Sequence, residues 1–241
     1  FRAAEGRIPD KVAEALRATG LFADVDRFLR VRWLVQRWKL DPVLMRGLIG
    51  KYGGLDWRLP EAHAIYWATR GLNEDDDIIN LACERMIFQS LANAFRGGRI
   101  AYMGDLNSLE ITPNISLVDA ASRQYEFSIE NHPDSGSVES GYRNWLIDAV
   151  VILYTFGQEE KAAEYYRKLR QYSSRARDRV TIEEFVLREL AGDIASANFD
   201  QAHGIVQGFL YQSFLALAVE DQDRATSFDL LARRVWNKYM Q

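Results

Sequence analysis

Apolar residues recur every three or four positions through most of this chain, and the pattern breaks mainly at glycine and proline. Pro9 opens a short amphipathic segment with Val12 and Leu16 that closes at Gly20, proline first and glycine last. Phe28, Val31, Val35 and Trp38 form the next helical stripe. Asp41-Pro42 reads as an N-cap and first-turn proline ahead of Leu44, Leu48 and Ile49. Lys51–Pro60 reads as a loop by its glycine pair, and Pro60 starts a helix ending near Gly71. Asn73, followed by Glu74, Asp75, Asp76 and Asp77, predicts a cap with an acidic first turn. That helix runs through Ile78, Ala82, Met86 and Leu91 to Gly97-Gly98.

From Arg99 to Asn114 the period changes. Ile100/Tyr102 and Leu109/Ile111 alternate around Gly104-Asp105, which predicts a small β-hairpin or an ordered loop. Helix resumes over Ile115–Ile129, breaks at His132–Gly136 and resumes at Ser137. Thr181 and Glu184 form a capping box, and two last helices, about Phe199–Val219 and Gln222–Met240, meet at Glu220-Asp221. Roughly ten or eleven helices with short connections predict antiparallel neighbours. The expected fold is all-α, a stack of helical hairpins forming a single domain over 1–241. Its parts are N-terminal helices (1–98), a hairpin or loop insert (99–114) and C-terminal helices (115–241).

Composition fits a folded helical protein: 48% hydrophobic and 27% charged residues among 241, with a net charge of −4. That charge supplies no global field towards DNA or anionic lipid. The single cysteine, Cys83, excludes an intramolecular disulfide and any multi-cysteine metal site. The apolar runs Trp145–Phe156 and Ile205–Val219 fall short of a membrane span. A cytoplasmic location fits, as does a periplasmic or membrane-tethered domain, because Phe1 points to a processed or partial form.

Between Trp145 and Ser174, the residues Trp145, Ala149, Leu153, Gly157, Ala162, Tyr166 and Leu169 are spaced in a way that resembles a tetratricopeptide (TPR) repeat. Weaker copies run over Phe209–Met240, with Ala225 five residues after Glu220, and over Pro60–Gly97. The resemblance implies that Ala149 and Ala162 let paired helices approach, that Gly157 turns the chain, and that Tyr166 and Leu169 pack towards the next unit. It also implies a surface for a protein or peptide partner. An inner face with Leu146 and Val150 lacks the Asn and Lys that hold terminal carboxylates in some members of the family.

Candidate chemistry is sparse. Glu74–Asp77 invites a metal reading, but an acidic first turn after a cap is the stronger explanation. His63, His132 and His203 are scattered: His63 reads as a packed core histidine, His132 as solvated and Cys83 as a small core residue. No phosphate loop, dinucleotide fingerprint or nucleophile elbow occurs, so neither a cofactor nor a metal is expected. An enzyme would need Glu61, His63, Asp77 and Glu84 to converge. A nucleic-acid or acidic-partner adaptor would use Arg27, Arg30, Arg32, Arg37 and Lys39, or Arg167, Lys168, Arg170, Arg175, Arg177 and Arg179. In the loop at 52–60, Asp56 and Arg58 are placed to pair, and Trp57 to plug the first hairpins or to form a hot spot.

The expectation is therefore a non-enzymatic helical-repeat scaffold for a protein or peptide, compatible with homo-oligomerisation and without a membrane span. Candidate binding residues are Trp57, Arg58, Tyr66, Trp67, Tyr154, Tyr165, Arg167 and Arg170.

Overall fold

The computed structural model describes residues 7–72, 76–103, 108–172, 180–191 and 199–240. The chain forms two compact units, Phe1–Gly54 and Leu55–Gln241, divided at the Gly53-Gly54 pair. The fold is all-α with one small hairpin.

The first unit holds α1 (Asp10–Ala18), α2 (Phe22–Trp33) with a π-helical turn over Leu34–Trp38, and α3 (Pro42–Tyr52). Its punctuation follows the sequence. Gly20 adopts φ 76° after α1, and the Asp41 carboxylate accepts from the Val43 N–H at 2.8 Å, beside Pro42 in the first turn of α3. Phe28, Val31, Val35 and Trp38 are helical or π-helical but all exposed, and α2 contributes no buried residue.

The second unit runs α4 (Pro60–Gly71), α5 (Asp77–Gly97), β1 (Arg99–Met103), β2 (Ser108–Thr112), a 3₁₀ turn (Ile115–Leu117) and α6 (Val118–Asn131). It continues through α7 (Gly136–Thr155), α8 (Glu159–Tyr172), α9 (Ile182–Ala191), α10 (Phe199–Ala218) and α11 (Gln222–Tyr239). Helix α4 packs against α5, α7 against α8 and α10 against α11, and α9 lies against α7.

Helix α7 is the axis of this unit, touching α5, α6, α8, α9 and α11. Its composition requires that position. Trp145, Leu146, Ala149, Val150 and Leu153 are fully buried, and a helix apolar on nearly every side must be covered on every side. Each such large side chain contributes about 1.5–3 kcal/mol on leaving water. Ala162, Tyr166 and Leu169 of α8 are buried as well, and Gly157 turns the chain at φ 72°.

The hairpin pairs β1 with β2 antiparallel, matching Ile100 to Ile111 and Tyr102 to Leu109, as the alternation predicts. Its Gly104-Asp105 turn lies outside the described residues. So do Asn73, Glu74 and Asp75; the cap of α5 is instead Asp76, which accepts from the Ile78 and Ile79 N–H groups at 3.1 and 3.0 Å. An aspartate so placed satisfies two of the orphan donors of the first turn, so the helix begins at Asp77. Thr181 caps α9 by accepting from the Glu184 N–H at 3.3 Å. The α10–α11 corner passes through Glu220 in the left-handed region, φ 60°, before Asp221 caps α11.

Candidate functional site

The loop ahead of α4 is rigid for a definable reason. Arg58 donates through Nε to the Asp56 carboxylate at 2.8 Å, and its own N–H donates to the same oxygen at 3.1 Å. The pair then grips one residue of β1: Asp56 accepts the Ile100 N–H and Arg58 donates to the Ile100 carbonyl, each at 3.3 Å. The Arg58 bond holds the Asp56 carboxyl near pKa 2 against the opposing effect of burial, helped by the two N–H donors. Trp57 is half-buried and meets His63 and Tyr66 edge-on, with His63 Nε2 3.0 Å from the Trp57 carbonyl oxygen. Trp57 is thus a plug over α4, and His63 is the packed histidine that the pattern predicts. Tyr66 is fully buried, whereas Trp67 is 45% exposed beside it.

Tyr165 belongs to a polar ladder between α6 and α8. It donates to Asp119 at 2.9 Å, and Lys161 lies 2.8 Å from the same carboxylate. Seven residues further along both helices, Lys168 donates to Glu126 at 3.0 Å, as Tyr142 of α7 does at 2.7 Å. Ser122 joins the lower rung, 2.7 Å from the Tyr142 hydroxyl. The common spacing makes α6 and α8 parallel neighbours in register. Burial opposes ionisation of Asp119 and Glu126, but the lysine and tyrosine bonds prevail and hold both carboxyls below their ordinary range. Burial raises both Tyr142 and Tyr165, and their bonds to Glu126 and Asp119 respectively raise them further. Asp119, Glu126, Tyr142, Lys161 and Tyr165 are each held further into their ordinary charge state, the opposite of what a general acid or base at neutral pH requires.

Of the remaining expected residues, Tyr154 is buried, its hydroxyl accepting from Arg234 at 2.6 Å. Arg167 and Arg170 are exposed; Arg170 lies over the Tyr166 ring, 5.6 Å from its centre. Arg167 borders a shallow concavity of about 730 Å³ at the start of α8 with Glu159, Glu160, Lys161 and Glu164. Arg175, Arg177 and Arg179 lie outside the described residues. The expected set is therefore scattered, with Tyr66, Tyr154 and Tyr165 serving the core.

Of the residues that an enzyme would need, His63 packs beneath Trp57 and Glu84 is taken up by the α6–α7 turn. Glu84 is buried and faces His132, Oε2 to Nε2 3.3 Å, while Asn131 donates to its other oxygen at 3.4 Å. His132 is thus shielded against α5, not solvated as its Pro-Gly loop implies. Cys83 is half-buried beside Gly71 instead of lying in the core. Among the described residues, no three His, Cys, Asp or Glu side chains gather closely enough to hold a metal ion.

The most unusual surface is on α10. Gln201–Val219 contains no Asp, Glu, Lys or Arg over 19 residues. Its inner face, with Ala202, Phe209, Ser213 and Ala216 buried, packs on α11, where Ser213 donates to the Ala225 carbonyl at 2.8 Å. Its outer face carries Gly204, Gln207, Gly208, Tyr211, Phe214 and Ala218, with Tyr211 61% and Phe214 64% exposed. A Cβ at Gly204 or Gly208 would meet nothing within 4 Å, so backbone and rings share one open, uncharged face. The signal is present in the sequence as the absence of charge. No described helix, α10 included, is long and apolar enough to cross a membrane. Comparison of the chain with protein-family models, curated proteins and solved structures gives no match.

Proposed function

We propose that this protein is a non-enzymatic helical scaffold, TPR-like in the arrangement of its α7–α8 and α10–α11 hairpins, that binds a protein partner along α10. The uncharged outer face of α10 carries this reading. A helix face exposed to water ordinarily carries polar and charged side chains. This one instead shows two aromatic rings and two glycines, a surface that suits a partner helix laying apolar side chains over Gly204 and Gly208 and between Tyr211 and Phe214. Aromatic anchors beside open backbone allow close approach, and the missing charges remove the desolvation cost of covering the face.

The ladder between α6 and α8 supports the non-enzymatic part of the reading, because its carboxylates and tyrosines are tied to one another in their resting charge states. The test is affinity capture with the intact chain, in parallel with Phe214→Glu and a Trp67→Glu control. A protein retained by the wild type and the control, and lost with Phe214→Glu, is the expected result. A partner profile that Phe214→Glu leaves unchanged rejects the α10 surface.

A further inference from the structure

We propose that the first unit carries a second binding face, on α2 and its π-helical turn, that lies on anionic lipid surfaces. Helix α2 is apolar on two sides. Phe22, Val25, Leu29 and Trp33 are half-buried, while Phe28, Val31 and Val35 run along the opposite side at 61%, 42% and 46% exposure. Trp38 closes the run at the end of the π-helical turn, 54% exposed with Arg37 5.8 Å from its ring centre.

The charge around this face identifies its occupant. The first unit, residues 1–54, has 11 basic and 6 acidic residues, a net +5; the remainder has 19 and 28, a net −9. The overall −4 therefore conceals a cationic unit. Arg27 and Arg32 flank the exposed stripe, and the acids on this helix are engaged with arginines, Asp26 with Arg30 at 2.7 Å and Asp24 with Arg27 at 3.8 Å. Two copies of a unit with this charge repel each other, which disfavours self-association through α2. Val31 and Val35 offer nothing to a phosphate backbone, whereas an apolar stripe with a terminal tryptophan and flanking arginines matches the headgroup–acyl boundary. From Phe28 to Trp38 the run is about 15 Å long, enough to lie in that boundary and too short to cross it.

The test is flotation of the intact chain with phosphatidylcholine vesicles, with and without phosphatidylserine, compared with a fluorescent single-stranded oligonucleotide. Variants are Phe28→Glu/Val35→Glu and Arg32→Glu/Arg37→Glu, with circular dichroism to verify helix content; all four positions are exposed, so the fold is retained. The wild type binds the phosphatidylserine vesicles, and each double variant lowers that binding about tenfold or more. Failure of the wild type to bind at low salt overturns the proposal. So does binding that Phe28→Glu/Val35→Glu leaves intact, or tighter binding to the oligonucleotide than to the vesicles. Capture of a protein by α10 is independent of every one of these outcomes.

Discussion

The Cβ that Gly157 lacks would stand 2.8 Å from the Cβ of Asp223, so the α7–α8 turn touches the first turn of α11 with no room for a side chain. The same glycine has φ 72°, a conformation that L residues resist. Two constraints meet at one residue: a left-handed turn that ends α7, and the seating of the C-terminal hairpin on the axial helix. Arg224, the next residue of α11, reinforces the contact with its guanidinium 4.8 Å from the Phe156 ring centre.

Gly157→Ala is expected to destabilise the protein by about 1–3 kcal/mol, combining left-handed strain with displacement of α11. Urea denaturation monitored by circular dichroism measures the loss. A change below about 0.5 kcal/mol would show that the turn relaxes freely.

The ladder between α6 and α8 makes stability depend on pH in one direction. Asp119 and Glu126 have folded pKa values below their unfolded ones. Their contribution is therefore fully present above the unfolded carboxylate range and is lost as the pH falls through the folded values. Thermal melts from about pH 6 down to about pH 3 should show a falling midpoint, with a shallower slope in Glu126→Gln. At neutral pH, Glu126→Gln should cost about 1 kcal/mol, because the rung is only partly shielded from water. Parallel slopes for the two proteins would remove Glu126 from the explanation.

Asp56 titrates later. With its carboxyl near pKa 2, the clamp on Ile100 persists through mild acid and weakens only as the pH falls from about 4 towards 2. Asp56→Asn should cost about 1–2 kcal/mol and raise amide exchange at Ile100, whose N–H the carboxylate accepts. Hydrogen exchange resolved to β1 checks both the size and the place of the effect; unchanged protection at Ile100 would mean that the hairpin does not depend on the clamp.

Consecutive residues of α5 hold the α6–α7 turn. Glu84 meets Asn131 and His132, and Arg85 donates to the hydroxyls of Ser135 and Ser137 at 3.0 Å each. Arg85→Ala should lower stability by about 1 kcal/mol and increase amide exchange over 132–137 before it affects α7. Exchange rising equally throughout the second unit would instead indicate a global effect.

Helix punctuation was legible because the responsible groups are local. Pro60, Gly97, Thr181 and Asp221 act within one turn of their own backbone, and the structure places element ends at or beside each of them. Position within the fold was not, because it depends on what packs from elsewhere. The periods of Tyr66 and Tyr165 identify a helical face, yet period alone does not distinguish a covered face from an open one, and both residues are buried. The stripe from Phe28 to Trp38 has the period of a core and lies in water. His132 follows the same rule: its loop composition indicates exposure, but α5 arrives from 47 residues away in sequence to shield it through the Glu84–Asn131 contact. The α10 face could have been found from sequence, since a 19-residue stretch lacking charge can be counted directly. The distinction between a core helix and an open face came only with the neighbours of Tyr211 and Phe214.

Site-specific photo-crosslinking in cells tests the account most directly, with a photoreactive residue at Gln207 on the outer face of α10 and a control at Arg170 on α8. The account predicts a discrete adduct with another protein at Gln207, abolished by Phe214→Glu and absent at Arg170. Adducts at Arg170 alone, or no adduct at Gln207 beyond the chain crosslinked to itself, would contradict it.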